Sequence, residues 1–217
     1  MNELSSSDSG GTLFVVSAPS GAGKTSLVRA LLDAEANMGV AVSHTTRPMR
    51  PEEEDGVNYH FVDTGTFRQL ADQGGFIEWA NVFGNLYGTS VDAANRVLDE
   101  GKNLILEIDW QGAAQVRQKF PDTQSTFIFP PSLSALRQRL EGRGQDDAET
   151  VQKRMDSAFQ ELSHWHEFDY LIVNDIFDEA LQQLTSVVNG TGTRLLKSER
   201  QAELKPLISE LLPQDHQ

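Results

Sequence analysis

The chain of 217 residues contains no cysteine. Disulfide bonds, thiolate metal sites and a cysteine nucleophile are therefore excluded, and the absence is compatible with a reducing compartment. No apolar run approaches the length of a membrane-spanning helix, and residues 1–11 are polar and serine-rich, without the apolar centre of a signal peptide. We therefore expect a cytoplasmic protein without a membrane partner, with a flexible start over residues 1–10.

Basic residues are also scarce. The chain has 18 Lys and Arg against 32 Asp and Glu, a formal net charge of −14, which argues against nucleic acid as a partner. The cations that are present cluster, Arg47 with Arg50 and five more over residues 137–154. Because exposed charges farther apart than a Debye length are screened, such clusters can still bind phosphates locally.

Short apolar runs alternate with helical patterns along the chain, which is typical of an α/β protein with a parallel sheet covered on both faces. The expected strands are 13–17, 40–43, 103–108, 125–129 and 170–173. The expected helices are 26–36, 91–100, 111–120, 133–140, 149–168, 179–188 and 198–212. Residues 44–90 break this rhythm with short Tyr-, Phe- and Gly-spaced segments, which predicts a small mixed β lobe inserted into the core. Residues 137–157 predict a second, helical excursion.

The most informative segment is 18–25, directly after the apolar run 13–16. It consists of Ala18, Pro19, Ser20, Gly21, Ala22, Gly23, Lys24 and Thr25. The glycines let the backbone wrap an anion with its N–H groups, the lysine supplies a charge for the β and γ phosphates, and the threonine hydroxyl can hold Mg²⁺. Ala18 stands where the general pattern has glycine. The segment predicts a nucleoside triphosphate site, but by itself it does not separate a kinase from an ATPase or a GTPase.

Two further segments point to a second nucleotide. Arg47 and Arg50 lie three residues apart between prolines, and their guanidinium groups can hold one phosphate together; the alternative is an exposed loop with solvated cations. Glu78 lies inside the apolar run 76–80, where an unpaired carboxylate would be costly to bury. The N1–H and amino group of guanine are adjacent donors that would satisfy it; the alternative is a glutamate on the exposed face of a strand.

Two other segments carry polar groups at the ends of predicted strands. Glu107 and Asp109 follow a buried strand, and a carboxylate at such a position can hold Mg²⁺ or its waters. In the segment 84–90, Tyr87 and Thr89 offer hydroxyl groups between glycines. The alternative for that segment is a turn in which Thr89 or Ser90 caps the next helix.

These segments, in this order, resemble the guanylate kinase family, whose members transfer the γ-phosphoryl group of ATP to GMP. The resemblance covers residues from about 11 to 212 and includes 139–144, 153–154 and 172–175. It implies a P-loop kinase core with a five-stranded parallel sheet, an inserted mixed β lobe that binds GMP, and a mobile helical lid. Within a domain at 11–217, the implied parts are a core at 11–43, 91–136 and 158–217, a lobe at 44–90 and a lid at 137–157.

The resemblance also implies roles for individual residues. Segment 18–25 binds the ATP phosphates, Asn174 lies near the adenine, Thr25 binds Mg²⁺ directly and Glu107 through water. The residues implied to hold the GMP phosphate are Arg47, Arg50, Tyr59 and Tyr87. Those implied to read or orient the guanine nucleotide are Ser43, Glu78, Thr89 and Asp109. Those implied to act on the transferred group are Lys24, Arg47, Arg139, Arg143 and Arg154.

The sequence departs from the family pattern at Leu86, where a tyrosine is frequent, and at Glu107, where aspartate is usual. One rival interpretation is a non-enzymatic module of this family that binds phosphopeptides, but such modules typically lose the lysine matched by Lys24. A second rival is another P-loop nucleotide kinase or ATPase, against which the Glu78 segment argues. The choice between monomer and homo-oligomer stays open.

Overall fold

The computed structural model describes residues 11–82, 84–142 and 148–212, so the expectation of a flexible start at residues 1–10 lies outside it. Within these ranges the chain forms nine strands and eight α-helices. The strands are β1 (Leu13–Ser17), β2 (Met38–Val40), β3 (His44–Thr45), β4 (His60–Phe61), β5 (Phe76–Val82), β6 (Asn85–Ser90), β7 (Asn103–Glu107), β8 (Gln124–Phe129) and β9 (Tyr170–Val173). The helices are α1 (Lys24–Ala34), α2 (Thr64–Asp72), α3 (Val91–Asp99), α4 (Trp110–Lys119), α5 (Leu133–Glu141), α6 (Ala148–Ser163), α7 (Phe177–Val188) and α8 (Lys197–Leu211).

Five strands form a parallel sheet in the order β2-β7-β1-β8-β9. Strand β2 pairs with β7, with Val40 opposite Ile105, and β8 pairs with β9, with Phe129 opposite Val173. Several residues of these strands are fully buried, namely Val15, Leu104, Ile105, Phe127 and Ile128. Burial of successive residues is expected where a parallel sheet is covered on both faces. The predicted α/β class and five-stranded parallel sheet are confirmed.

The second sheet is mixed, in the order β4-β3-β6-β5. Strand β3 runs parallel to β4 and antiparallel to β6, while β5 and β6 form an antiparallel pair. Phe67 of α2 supports this sheet, because its ring stacks on Phe76 at 4.5 Å in a small core with Leu86. The mixed sheet expected between residues 44 and 90 is therefore present.

The register of β5 against β6 is interrupted at Ile77. Phe76 lies opposite Ser90, yet Glu78, two residues further on, lies opposite Thr89. One extra residue on β5 is the mark of a β-bulge, which reverses the faces of the side chains that follow it. The sequence pattern shows no sign of this irregularity.

Three expectations for elements differ from the structure. The helix expected at 149–168 ends at Ser163, and a separate short 3₁₀ turn follows at Trp165–Glu167. The strand predicted at 40–43 is wrong, because β2 occupies 38–40 and Ala41–Ser43 belong to no strand. Only the first part of that run pairs with β7, after which the chain leaves for the mixed sheet at His44. Helix α2 was not expected. Its signal is Asp63, whose Oδ1 accepts a hydrogen bond of 2.9 Å from the backbone of Thr66 at the helix start.

The described chain divides into two compact units. The first holds residues 11–15 with 36–123, and the second holds 16–35 with 124–212. The boundaries expected for core, lobe and lid stay a prediction. No helix of the described residues is long and apolar enough to cross a membrane.

Candidate active site

The loop 18–23 in the second unit joins β1 to α1. Gly21 and Gly23 have φ angles of +90° and +89°, which glycine adopts without strain. Left-handed residues in such a turn direct successive backbone N–H groups into one concavity, and the N-terminus of α1 adds a partial positive charge there. Helix α1 begins at Lys24, two residues earlier than expected, so Lys24 and Thr25 both lie in its first turn. This is the geometry of an anion-binding loop.

Asn174, just after β9, holds this loop from the inside. Its side chain is buried and its Nδ2 donates a hydrogen bond of 2.7 Å to the carbonyl of Ala22. A β-carbon on Gly23 would lie 2.4 Å from the same nitrogen, so both the φ angle and the space require glycine there. The position of Asn174 near the adenine stays a prediction, and the structure adds that its amide supports the backbone of the phosphate loop.

Two helices of the second unit pack on the loop as well. Glu161 of α6 accepts a hydrogen bond of 2.8 Å from the backbone N–H of Ser20. The side chains of Leu136 and Leu140 in α5 pack beside Gly21, where a β-carbon would lie 3.1 Å from each. Sequence reasoning missed Glu161, and no local motif marks it, since only the fold brings it to the loop.

Two of the three arginines expected to act from the lid lie on these helices. Nη2 of Arg139 donates a hydrogen bond of 3.0 Å to the carbonyl of Asn174. Its Nη1 is buried and has no hydrogen-bond partner among the described residues. A buried guanidinium nitrogen without a partner is costly, and a phosphate oxygen would satisfy it. Arg154 lies on α6, and Arg143 lies outside the described residues.

Glu78 is a buried carboxylate of the mixed sheet in the first unit. It is only 3% exposed, and its Oε1 accepts a hydrogen bond of 2.8 Å from the backbone N–H of Thr89. A β-carbon on Gly112 would lie 2.6 Å from its Oε2, so α4 approaches the carboxylate closely. The pKa of Glu78 is raised to about 7, mainly by burial and in addition by the nearby charge of Asp109, while hydrogen bonds from Thr89 act in the opposite direction. The alternative of a surface-facing strand glutamate is excluded.

Three further candidate residues surround this carboxylate. The hydroxyls of Ser43 and Thr89 lie 3.0 Å apart and are hydrogen-bonded. Asp109 caps α4, since its Oδ1 accepts a hydrogen bond of 2.8 Å from the backbone N–H of Gly112. Ser90, rather than Thr89, caps α3, so the hydroxyl of Thr89 is not used for capping. The predicted base-reading residues thus lie on one unit.

Arg47 already has an anionic partner. Its Nη2 and Nη1 donate hydrogen bonds of 2.7 Å and 2.9 Å to the two carboxylate oxygens of Glu53. This bidentate pair raises the pKa of Arg47 and lowers that of Glu53 to about 2. The guanidinium also lies 5.5 Å from the ring of Tyr59 and 5.6 Å from that of Phe61. The sequence analysis did not identify Glu53, although a carboxylate so close in sequence to two arginines is a recognisable signal.

The remaining candidates for the GMP phosphate lie in the same unit. The rings of Tyr59 and Tyr87 meet edge to face at 5.9 Å. Burial raises the pKa of Tyr59, and the charge of Glu107 raises it further. Arg50 donates its backbone N–H to Glu53 at 2.8 Å, while its residue is exposed. Two tyrosine hydroxyls and two guanidinium groups are suitable donors for one phosphate.

No group of three or more His, Asp or Glu side chains that could hold a metal ion occurs among the described residues. Mg²⁺ that arrives with a nucleotide keeps several waters and binds through one or two protein oxygens plus substrate phosphates, so it needs no such group. The hydroxyl of Thr25 and the carboxylate of Glu107, at the end of β7, are oxygen ligands of that kind.

A buried parallel strand, a glycine loop and a helix that begins with Lys24 and Thr25 define the class of P-loop nucleotide-binding proteins. The family model of guanylate kinase matches residues 10–191. The chain belongs to the guanylate kinase family, so the resemblance found in the sequence is confirmed.

Known members are similar over nearly their whole length. The guanylate kinase of Chromohalobacter salexigens is 56% identical over 202 residues, which cover 93% of this chain and 93% of that protein. The guanylate kinase of Alkalilimnicola ehrlichii is 55% identical, covering 93% of this chain and 97% of that protein. The crystal structure of guanylate kinase from Anaplasma phagocytophilum matches with a TM-score of 0.70 at 33% identity, over 93% of this chain and 95% of that one.

Proposed function

We propose that the protein transfers the γ-phosphoryl group of ATP to GMP, giving ADP and GDP. The observation that carries GMP as the acceptor is the buried carboxylate of Glu78, which has a backbone donor on Oε1 and no side-chain cation bonded to it among the described residues. Guanine offers N1–H and an amino group as adjacent donors, and adenine has no N1–H. A site built around such a carboxylate rejects bases that lack these donors by roughly 10⁴-fold.

The donor half of the reaction belongs to the phosphate loop. Its backbone N–H groups and Lys24 bind the β and γ phosphates of ATP. Arg139, Arg143 and Arg154 neutralise the charge that develops on the transferred group, and cations in this role contribute on the order of 10³-fold or more to related reactions. The orphaned Nη1 of Arg139 supports this role, because it is a buried donor that an anion would satisfy.

The acceptor half belongs to the mixed sheet. Arg47, Arg50, Tyr59 and Tyr87 hold the GMP phosphate, while Ser43, Glu78, Thr89 and Asp109 orient the guanosine. An oxygen of the GMP phosphate forms the new bond to the γ-phosphorus, and the bond from that phosphorus to the β–γ bridging oxygen breaks, leaving ADP. The attacking oxygen is already anionic, so the reaction needs no general base but only positioning and charge stabilisation.

The hydroxyl of Thr25, and Glu107 through water, would hold Mg²⁺, which would supply positive charge against the phosphates of ATP. The hydroxyl and the carboxylate are both oxygen ligands, which Mg²⁺ prefers. A cytoplasmic location, with no nucleic acid or membrane as partner, belongs to the same proposal and rests on composition and charge.

The test is an assay of ADP release with ATP and, in parallel, GMP, AMP, CMP or UMP. We expect turnover with GMP and at most traces with the others, and no measurable turnover for Lys24→Ala. Lys102→Met is the matched control, because Lys102 is an exposed lysine that pairs with Glu100, and it should keep wild-type kinetics. Equal use of AMP would overturn the acceptor assignment. Absence of ADP release with every nucleotide would favour a non-enzymatic module, and a near-normal kcat for Lys24→Ala would refute the role of the loop.

A further inference from the structure

Strand β5, which carries Glu78, lies at the edge of the mixed sheet. An edge strand has one row of backbone N–H and C=O groups without a neighbouring strand, and it is the part of a sheet most able to slip or bend. Glu78 therefore lies on a strand that the sheet supports on one side only. Something other than the sheet has to hold that strand in register.

The bulge at Ile77 decides which way Glu78 points. Because two residues of β5 oppose one residue of β6 there, Glu78 lies opposite Thr89 and shares its face. The rings confirm the reversal, since Phe76 and Trp79 both contact Phe67 although they are three residues apart. In a regular strand, residues three apart lie on opposite faces. Without the extra residue, Glu78 would share the face of Phe76, away from Ser43 and Thr89.

Helix α4 supplies the missing support along this edge. The ammonium of Lys119 donates a hydrogen bond of 2.7 Å to the carbonyl of Ile77, the bulged residue, and a longer one of 3.4 Å to that of Phe76. The side-chain amide of Gln115 donates to the carbonyl of Trp79 at 2.7 Å and accepts from its N–H at 3.2 Å. These two hydrogen bonds replace the pairing that a neighbouring strand would give to the backbone of Trp79. Gln115 and Lys119 are four residues apart and therefore lie on one face of the helix.

The same helix carries Asp109 at its N-cap and Gly112 against the carboxylate of Glu78. Glu78 on β5 and Asp109 at the start of α4 are both expected to read the base. The contacts of this helix with the strand set the relative position of their carboxylates. On β5, the side chains of Gln115 and Lys119 bind backbone groups only. They therefore support the strand without supplying a group that would recognise the base.

We propose that Lys119 and Gln115 are positioning residues, which hold the bulge of β5 in place and so aim the carboxylate of Glu78 at the guanine base. This inference rests on the proposed function. Loss of either side chain leaves β5 free to shift along its open edge. Misplacement of a positioned group by about 1 Å can cost on the order of 10²-fold.

The test compares Lys119→Met with Lys119→Arg and with the control Lys102→Met. We expect Lys119→Met to raise KM for GMP by about tenfold or more and to narrow the preference for GMP over IMP, which lacks the amino group. The value of KM for ATP and the far-ultraviolet circular dichroism should stay unchanged, because the phosphate loop belongs to the other unit. Lys119→Arg retains a cationic donor and should restore most of the selectivity.

Gln115→Leu separates position from charge, because Lys119 also lowers the pKa of Glu78 through its charge whereas Gln115 is neutral. Its control is Gln118→Leu, an exposed glutamine on the same helix. We expect Gln115→Leu to lose selectivity for GMP over IMP and Gln118→Leu to keep it. Wild-type selectivity in both Lys119→Met and Gln115→Leu would overturn the inference while leaving the proposed function intact. A wild-type protein without GMP-dependent turnover would instead refute the proposed function.

Discussion

Replacement of Glu78 by glutamine should make the nucleotide-free protein more stable and at the same time remove its selectivity. Glutamine keeps the shape of the side chain and the acceptor for the N–H of Thr89, but it carries no charge. The buried carboxylate costs free energy in the folded state because it is desolvated. That cost is the reason its pKa lies at about 7 rather than at 4.5.

The magnitude follows from this displacement of the pKa. At 1.36 kcal/mol per pH unit, a change from 4.5 to about 7 corresponds to about 3 kcal/mol at alkaline pH. Between these two values the folded protein keeps a proton that the unfolded chain has lost, so unfolding releases a proton. The wild-type protein therefore loses stability as the pH rises from 4.5 to 7, by up to about 1.4 kcal/mol per pH unit, and the cost is constant above 7.

The measurement is urea denaturation of both proteins at a series of pH values from about 4.5 to 8. The difference in free energy of unfolding between Glu78→Gln and wild type should be near zero at the acid end and grow toward about 3 kcal/mol at the alkaline end. In ADP-release assays the same variant should lose kcat/KM for GMP on the order of 10³-fold, because the amide group opposes one guanine donor. Saturating GMP should stabilise the wild-type protein and leave Glu78→Gln almost unchanged.

Glu100→Gln is the control, because Glu100 is 61% exposed and pairs only with Lys102 among the described residues. Its stability difference from wild type should not depend on pH in this range. A stability gain for Glu78→Gln that is the same at every pH would refute the assignment of the cost to the ionised carboxylate. Unchanged kinetics with GMP would refute the reading of guanine by Glu78.

Two predictions concern the phosphate loop. Gly23→Ala should lower the free energy of unfolding more than Gly190→Ala. Both glycines have a positive φ, which costs alanine about 1–2 kcal/mol. Only at Gly23 would the new β-carbon also clash with the side chain of Asn174. Equal losses in urea denaturation would show that the clash is relieved without cost. Asn174→Leu should raise KM for ATP and leave KM for GMP unchanged, because the carbonyl of Ala22 loses its donor at a cost of about 1–3 kcal/mol. A higher KM for GMP alone in steady-state kinetics would contradict this reasoning.

The parallel sheet and the phosphate loop could be predicted because their signals are local. A β-branched run followed by glycines, Lys24 and Thr25 contains both the element and its chemistry within a dozen residues. Helix α2 has an equally local signal in the cap formed by Asp63, and the pattern was overlooked rather than absent. The strand expected at 40–43 failed for a different reason, since pairing with β7 ends at Val40.

The supports of the candidate site could not be predicted, because they depend on distant parts of the chain. Glu161 meets Ser20 across 141 residues, and Asn174 meets Ala22 across 152. The bulge at Ile77 is invisible in the sequence, since the run around it reads as an uninterrupted strand. The sequence shows which residues carry charge, and only the fold shows which backbone groups hold them in place.

Helix α4 also restricts where this chain can change in length. From Trp110 to Lys119 it spans ten residues, about 15 Å at 1.5 Å per residue. One inserted residue would turn Lys119 by about 100° around the helix axis and move it away from Ile77. We therefore expect an insertion to be tolerated better at the turns of Gly74, Gly101 or Gly190, where an added β-carbon would meet nothing within 4 Å. We therefore expect these turns to accept a fusion or the new termini of a circular permutation, and α4 not to accept them.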